Sequence, residues 1–299
     1  SDKGTAKINW NGTDNSFELE DLIISKHPQT RFTANKIRLS LRHFLYSNSK
    51  GRTFDAGEGQ LNLLLSKVEL EQNEVNEWDW NAVISKLEAK KFVIDSLGKH
   101  AGKLTINSAR LSDFSVVSSS LLNLREMITN NTKFRLDELT GSYFNNKNQF
   151  SWYNTGYDKN TRFFSADSFS YRPTQDKQSF IAASSYQTDH IAATTGAITV
   201  GPFDIDRYIK DSILDIGVMN IGNSQLTVFR DKRQPRKPGA VRLLPANLLK
   251  RIPARLVIDT FKLNNGHVEY AELNEKTNKT GTITVARLNG LVTQLRNYD

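Results

Sequence analysis

Along most of this chain, apolar and polar residues alternate with a period of two. Lys103-Leu104-Thr105-Ile106, Thr227-Val228, His267-Val268-Glu269-Tyr270 and Thr282-Ile283-Thr284-Val285 each place their apolar groups on one side. That pattern predicts strands with one greasy face and one wet face. Thr, Ser, Asn, Val, Ile and Phe fill these stretches, in keeping with strand preference. Asn11-Gly12, Asn265-Gly266 and Asn289-Gly290 tolerate positive φ and so predict hairpins or tight turns.

The alternation also recurs at a fixed offset. Ile258-Asp259-Thr260-Phe261 is followed by Gly266, Val268 and Tyr270; forty-two positions earlier the same slots hold Ile216-Gly217-Val218-Met219, Ser224, Leu226 and Val228. A further copy reads Ile94-Asp95-Ser96-Leu97, Gly102, Leu104 and Ile106, and a fainter one opens at Leu136-Asp137-Glu138-Leu139. Periods of this size mark repeat architectures, in which stacked units bury a face that none can bury alone.

Short stretches between the copies have helical spacing. Trp80, Val83, Ile84 and Leu87 form a 3.6-residue stripe within Trp78 to Leu87, and Leu121, Leu122, Leu124 and Ile128 form one within Ser118 to Ile128. Ile205 to Ile213 carries a third, and Pro245 to Ile252 begins with Pro at a first-turn position. Each precedes a strand opening, at Ile94, Leu136, Ile216 and Ile258. The expected fold is therefore mostly β: repeating antiparallel hairpins with short connecting helices, forming an elongated curved sheet or groove. A propeller is the main competitor, since its blades run about 40–45 residues; the intervening helices and the lack of Trp-Asp ends count against it.

The centre, from Tyr143 to Ala183, is rich in aromatics and loses the repeat frame. The whole of 1–299 reads as one elongated β-repeat region. Pro173 to Ser179 is a linker-like stretch that would allow a subdivision into 1–175 and 176–299.

Only 38% of residues are apolar, below the roughly 45–50% of globular chains, a figure that also counts Gly. An elongated structure of one or two β layers, with much surface for its length, has this bias. Lys and Arg number 40 against 32 Asp and Glu, a net charge of +8, which favours anionic partners without choosing among them. Cys is absent, removing disulfides, thiolate metal sites and Cys nucleophiles from consideration. No apolar run approaches the ~18 residues that span a bilayer, so the chain is expected to be soluble. Its start, Ser1-Asp2 without Met, is what a processed product or an excised piece would show.

Candidate chemistry is sparse. The five His residues (27, 43, 100, 190 and 267) form no metal-ligand spacing, and only His190, beside Asp189, has an acidic neighbour. No nucleophile elbow or phosphate-binding glycine loop is present; Gly57-Glu58-Gly59 lacks the Lys and helix that a phosphate loop needs. Asp95 and Asp259 occupy equivalent slots, but a polar residue on the wet face of a repeated strand explains them without catalysis. An enzyme, a metal and a cofactor are not expected. Nucleic acid is not expected either, because no recognition motif accompanies the basic charge. The sharpest local feature is a basic run, Arg230, Lys232, Arg233, Arg236, Lys237 and Arg242, broken by Pro235, Pro238 and Gly239 and containing a single acid, Asp231. It reads as a loop that contacts an anionic partner instead of a structural acid, with a merely solvated turn as the alternative.

The segment Leu256 to Tyr270, continued by Gly281-Thr282-Ile283-Thr284-Val285-Ala286-Arg287-Leu288-Asn289-Gly290, resembles the repeat of AsmA-like and TamB-like envelope proteins. In that family an I-D-x-φ-x-φ-x-x-G-x-φ-x-φ hairpin, with φ apolar, is followed by G-x-φ-x-φ-x-x-φ-x-G. The match is strongest over Ile252 to Gln294, fainter in the two earlier copies and poor in the centre. The resemblance implies a piece of a periplasmic cell-envelope protein, anchored by a segment outside this chain and serving outer-membrane biogenesis. It further implies a bridge-like lipid-transfer architecture, non-enzymatic, with lipid or another anionic amphiphile as partner and the membrane surface reached through the rest of the parent protein. The residues expected to line the apolar groove are Leu104, Ile106, Leu226, Val228, Val268, Tyr270, Ile283 and Val285. The rival reading is an envelope polysaccharide-binding or scaffold module using exposed Trp152, Tyr153 and Tyr157. If the sheet folds onto itself, the groove residues become a sandwich core instead.

Overall fold

The computed structural model describes residues 7–11, 16–20, 32–34, 37–41, 45–47, 53–55, 60–72, 78–95, 102–117, 124–145, 147–239 and 249–298. In chain order the elements are β1 (Lys7–Asn11), β2 (Ser16–Glu20), β3 (Phe32–Ala34), β4 (Ile37–Leu41), β5 (Leu45–Ser47), β6 (Thr53–Asp55), β7 (Gln60–Gln72), β8 (Trp78–Asp95), β9 (Gly102–Val117), α1 (Leu124–Thr129), β10 (Arg135–Asn145), β11 (Asn148–Tyr153) and β12 (Gly156–Asp158). There follow β13 (Phe163–Ala166), β14 (Ser168–Pro173), α2 (Lys177–Ala182), β15 (Asp189–Thr194), β16 (Ile198–Gly201), α3 (Ile205–Asp211), β17 (Ile213–Gly222), β18 (Gln225–Asp231), β19 (Arg255–Leu273) and β20 (Thr280–Arg296). The protein is mostly β, as the alternation predicts, with few short helices. Its backbone packs as two compact units: residues 1–141 with 156–161, and 142–155 with 162–299.

In the first unit β4, β7, β8 and β9 follow one another antiparallel, while β2 lies parallel to β4. Cross-strand rows of apolar side chains run through Leu61–Ala89–Ala109, Leu63–Leu87–Leu111 and Leu65–Ile84–Phe114. Ala89, Phe92 and Ala109 form the buried centre. Trp78 to Leu87 is strand, not the predicted helix. The ladder is irregular there: Leu64 faces Lys86, Leu65 faces Ile84 and Lys67 faces Val83, so Ser85 and Ser66 are both skipped. Such an irregularity inverts the alternation, so Trp80, Ile84 and Leu87 of the predicted stripe share a face at spacings of four and three that imitate a helix, while Val83 points away.

Of the stretch Ser118 to Ile128, 118–123 lie outside the described residues, and α1 covers the remainder. Asn131 fastens this helix to β9. Its Oδ1 accepts from the Ser115 N–H (2.6 Å) and hydroxyl (3.0 Å), and its Nδ2 donates to the Ser115 and Met127 carbonyls (2.8 and 2.6 Å). Asn131 is buried, so Asn131→Ala strands several polar groups at ~1–3 kcal/mol. The expected result is a loss of about 2 kcal/mol in urea unfolding and faster amide exchange in α1; unchanged exchange would rule out the clamp.

In the second unit the forty-two-residue offset becomes a parallel register. β17 and β18 lie alongside successive halves of β19, pairing Ile216 with Ile258 and Val228 with Tyr270. The other side of β19 carries β20, antiparallel. β16 and then β13 extend the sheet from β17, whereas β15, β14 and β11 extend it from β18. Thus Asn265-Gly266 is not the predicted hairpin turn but a bulge within a 19-residue strand. Asn265 has φ 55°, as Asn223 has φ 48° in the copy before it. Its Nδ2 donates to Asn223 Oδ1 (2.8 Å), and its N–H donates to Asn289 Oδ1 (2.9 Å). Positive φ serves a bulge as well as a turn. A Cβ on Gly266 would lie 3.3 Å from both Leu263 and Leu288, so these three positions share a face. The earlier copy behaves differently: Ile94 faces Leu104 across the antiparallel pair β8–β9, although residues 96–101 between them lie outside the described set.

Helix α3 matches its prediction, capped by Asp204 accepting from Asp206 and Arg207 N–H groups. The first half of Pro245 to Ile252 lies outside the described residues; the second half closes one turn, Ile252 N–H to Leu249 O. Pro173 to Ser179 lies inside the second unit, where Pro173 closes β14 and Asp176 caps α2.

Candidate functional site

Residues opposite one another in a ladder, and those two apart along a strand, share a face. In the second unit this places Phe150, Tyr171, Ala193, Leu226, Val268 and Val285 in one row. Ile191, Val228, Tyr270 and Ile283 form the next. Beyond the bulge, which restores Leu263 to the side of Gly266, lie Ala166–Ile198–Ile221–Leu263 and Phe164–Val200–Met219–Phe261–Val292. Six of the eight predicted groove residues therefore stand together on three adjacent strands. The other two, Leu104 and Ile106, are on β9 of the first unit, where Ile106 packs against the Ala89/Phe92/Ala109 cluster.

Cover differs from place to place along these strands. Against the last of these rows Ile216, Leu256 and Ile258 are 7, 6 and 4% exposed, packed by its Val200, Met219 and Phe261 and by Phe203 and Leu249. On the side away from Ile191 and Val228, Phe180 of α2 meets the His190 ring edge-on at 5.3 Å, and Lys177 Nζ lies 5.5 Å from the centre of the Phe229 ring. Among the described residues the rows through Val268 and Tyr270 have no such lid. Leu226, Val228, Val268 and Tyr270 are only half-buried, Ile283 is 68% exposed and Val285 44%. Among the described residues no large side chain falls below 2% exposure, so the rows are not the interior of a sandwich.

One end of this face is charged. Asp189, Arg230 and Glu272 make the row beyond Ile191–Val228–Tyr270. Arg230 is buried and forks onto both oxygens of Asp189, with Nε at 2.5 Å. Burial acts to lower its pKa, but the Asp189 hydrogen bond and charge outweigh it and raise the value. Lys232 pairs with Glu272 at 2.5 Å, and Arg233 with Asp231 at 2.7 Å. The bonds from Lys232 and then Tyr270 hold the Glu272 carboxyl below its ordinary range, and Arg233 does the same for Asp231. Burial, then the bond to Glu272, pushes the Tyr270 hydroxyl up.

The expectation that the basic run avoids structural acids is thereby corrected for Arg230, Lys232 and Arg233. Arg230 and Asp231 belong to β18, and acids from neighbouring strands or from the strand end reach all three cations. Sequence could not show this, because Asp189 and Glu272 are forty or more residues away. Arg236 and Lys237 are exposed; Arg242 lies outside the described residues.

The aromatics of the rival reading separate. Tyr153 is 58% exposed, Trp152 is half-buried, and Tyr157 is 6% exposed, which removes it as a surface platform. His190 Nε2 lies 3.2 Å from Gln175 O, and Asp259 accepts from Gln294. Among the described residues no group of three or more His, Asp or Glu could hold a metal ion, and no helix is long and apolar enough to cross a membrane. Comparison with protein-family models, with curated proteins and with solved structures found no match.

Proposed function

We propose that this chain binds lipid along the open apolar face of its second unit, as a non-enzymatic part of a lipid-carrying cell-envelope protein. The observation that carries the reading is the contrast in cover along the strands: they are sealed around Ile216 and Ile258 and open at Val268, Tyr270, Ile283 and Val285. A contiguous uncovered apolar face of several hundred Å² calls for a partner. Acyl chains suit it because the rows offer shape and apolar surface with few polar anchors. At about 25 cal/mol per Å², covering such an area is worth several kcal/mol before the cost of ordering the ligand. The AsmA-like and TamB-like resemblance points the same way, and the periplasmic setting rests on it alone.

The test is native mass spectrometry of the gently purified protein, with a photo-reactive amino acid at Val228 or Tyr270. Phospholipid adducts at those positions are expected. Lipid-free protein that binds a polysaccharide tightly would transfer the reading to the glycan module.

A further inference from the structure

The turns after β18 and β19 border a half-open cavity of about 580 Å³, lined among others by Gln187, Lys232, Arg233, Arg236, Glu275 and Lys276. Both turns are tied down. Lys232 N–H donates to Leu273 O (3.0 Å) and Gln187 N–H to Pro235 O (2.9 Å), while Gln187 Nε2 donates to Lys232 O (3.1 Å). Asn274 Oδ1 folds the second turn by accepting from the N–H groups of Lys276 (2.9 Å) and Thr277 (3.0 Å). The walls are thus preorganised, which lowers the cost of binding.

The wall cations divide into two kinds. Lys232 and Arg233 are committed to Glu272 and Asp231. Arg236 and Lys276 have no ion-pair partner among the described residues, and Glu275 is the single lining acid. Two uncommitted cations against one carboxylate leave an excess positive charge facing the cavity. A guanidinium can grip two phosphate oxygens at once, and an ammonium adds a point charge.

The position of the cavity adds a second clue. Along β18 and β19 the apolar rows end at Val228 and Tyr270, the charged row Arg230–Glu272 follows, and the cavity turns come next. From Glu272 back to the bulge at Asn265, at ~3.3 Å per residue, the strand runs about 23 Å. One leaflet of a ~30 Å hydrocarbon core holds chains about 15 Å long. An acyl chain therefore fits between the charged row and the bulge.

We propose that this cavity is a site for a phosphate-type anion, gripped by Arg236 and Lys276, and that the anion is the head group of an amphiphile whose chain lies over Val228, Tyr270 and Ile283. The head-group assignment rests on the lipid-binding reading; the anion site stands apart from it.

Three probes separate the two in the whole chain: inorganic phosphate, a short-chain phosphatidic acid below its micelle threshold, and diacylglycerol of the same chain length. Phosphate is expected to bind weakly and saturably, and phosphatidic acid to displace it and bind at least 10-fold tighter than diacylglycerol. Arg236→Gln with Lys276→Gln removes phosphate binding and brings phosphatidic acid down to the diacylglycerol level, while diacylglycerol is unaffected. Both side chains are exposed, and an unchanged melting temperature confirms the fold. Phosphate that binds but is not displaced by phosphatidic acid overturns the head-group assignment and leaves a site for free phosphate. Phosphatidic acid binding no tighter than diacylglycerol, with phosphate binding absent, overturns the site while the lipid reading stands. Absent diacylglycerol binding, with phosphate binding still lost in the double variant, sinks the lipid reading and supports the anion site.

Discussion

Ile191→Asp combined with Ile283→Asp should cut lipid recovered with the protein at least 10-fold while shifting the melting temperature by no more than a few degrees. The two residues end one cross-strand row, with Val228 and Tyr270 between them. They are 36 and 68% exposed, so a carboxylate at either position keeps its water in the ligand-free protein. Under an acyl chain the same carboxylate loses that water. A charge at the centre of a helix in a bilayer costs ~2.5–3.5 kcal/mol, a scale on which a 10-fold loss per site is modest. Lipid recovery and thermal unfolding measured on one preparation decide the matter. Undiminished lipid would show that the face is not where lipid sits. A large drop in melting temperature would show that the face is covered by protein.

Asp189→Asn should cost the second unit about 3 kcal/mol, or roughly 6–12 °C in melting temperature at the usual 2–4 °C per kcal/mol for this size. The substitution leaves Arg230, buried between strands, without its forked partner. Breaking a buried ion pair from one side costs ~3–5 kcal/mol, and the low end applies because the Asp189 side chain is 29% exposed. Replacing both partners, Asp189→Leu with Arg230→Met, should recover most of the loss, because it removes the stranded charge together with its partner. The charged end also sets an acid limit. Asp231 and Glu272 have folded pKa values below their ordinary ones. Their contribution is whole above the ordinary carboxylate range, about pH 4, and is lost as pH falls through the lowered folded values. Arg230 and Arg233 are raised, so their share is lost only in strong alkali. Melting curves from pH 7 to pH 2 should fall below about pH 4, and less steeply in Glu272→Gln. A wild-type curve that stays flat would remove these carboxylates from the stability of the fold.

Sequence alone determined that the second unit is built of strands and set the forty-two-residue spacing. Each rests on local chemistry: period-two alternation, strand preference and Asn residues that accept positive φ. But it broke β19 and β20 at Asn265-Gly266 and Asn289-Gly290, which lie within single strands. The spacing of Asn223 and Asn265 was visible before any coordinates, and it is the register in which their side chains meet. Tertiary structure alone decided what the spacing means. The Ile94 copy pairs with its own continuation as a hairpin, whereas the Ile216 and Ile258 copies lie side by side in parallel. A motif read along one strand does not specify the neighbour that strand will choose. Trp78 to Leu87 shows the same limit: the alternation inverts where Ser85 and Ser66 are skipped, an irregularity that exists only in the ladder with β7. The basic run was legible as charge but not as structure, because Asp189 and Glu272 reach Arg230 and Lys232 from distant strands. Cover was decided last and least locally. Ile258 and Tyr270 belong to the same strand and both look like core, yet Ile258 is 4% exposed beside Phe203 and Leu249 while Tyr270, farther along, stays half-buried. Alternation tells a strand which residues want to leave water; only the segments packed around it determine which of them do.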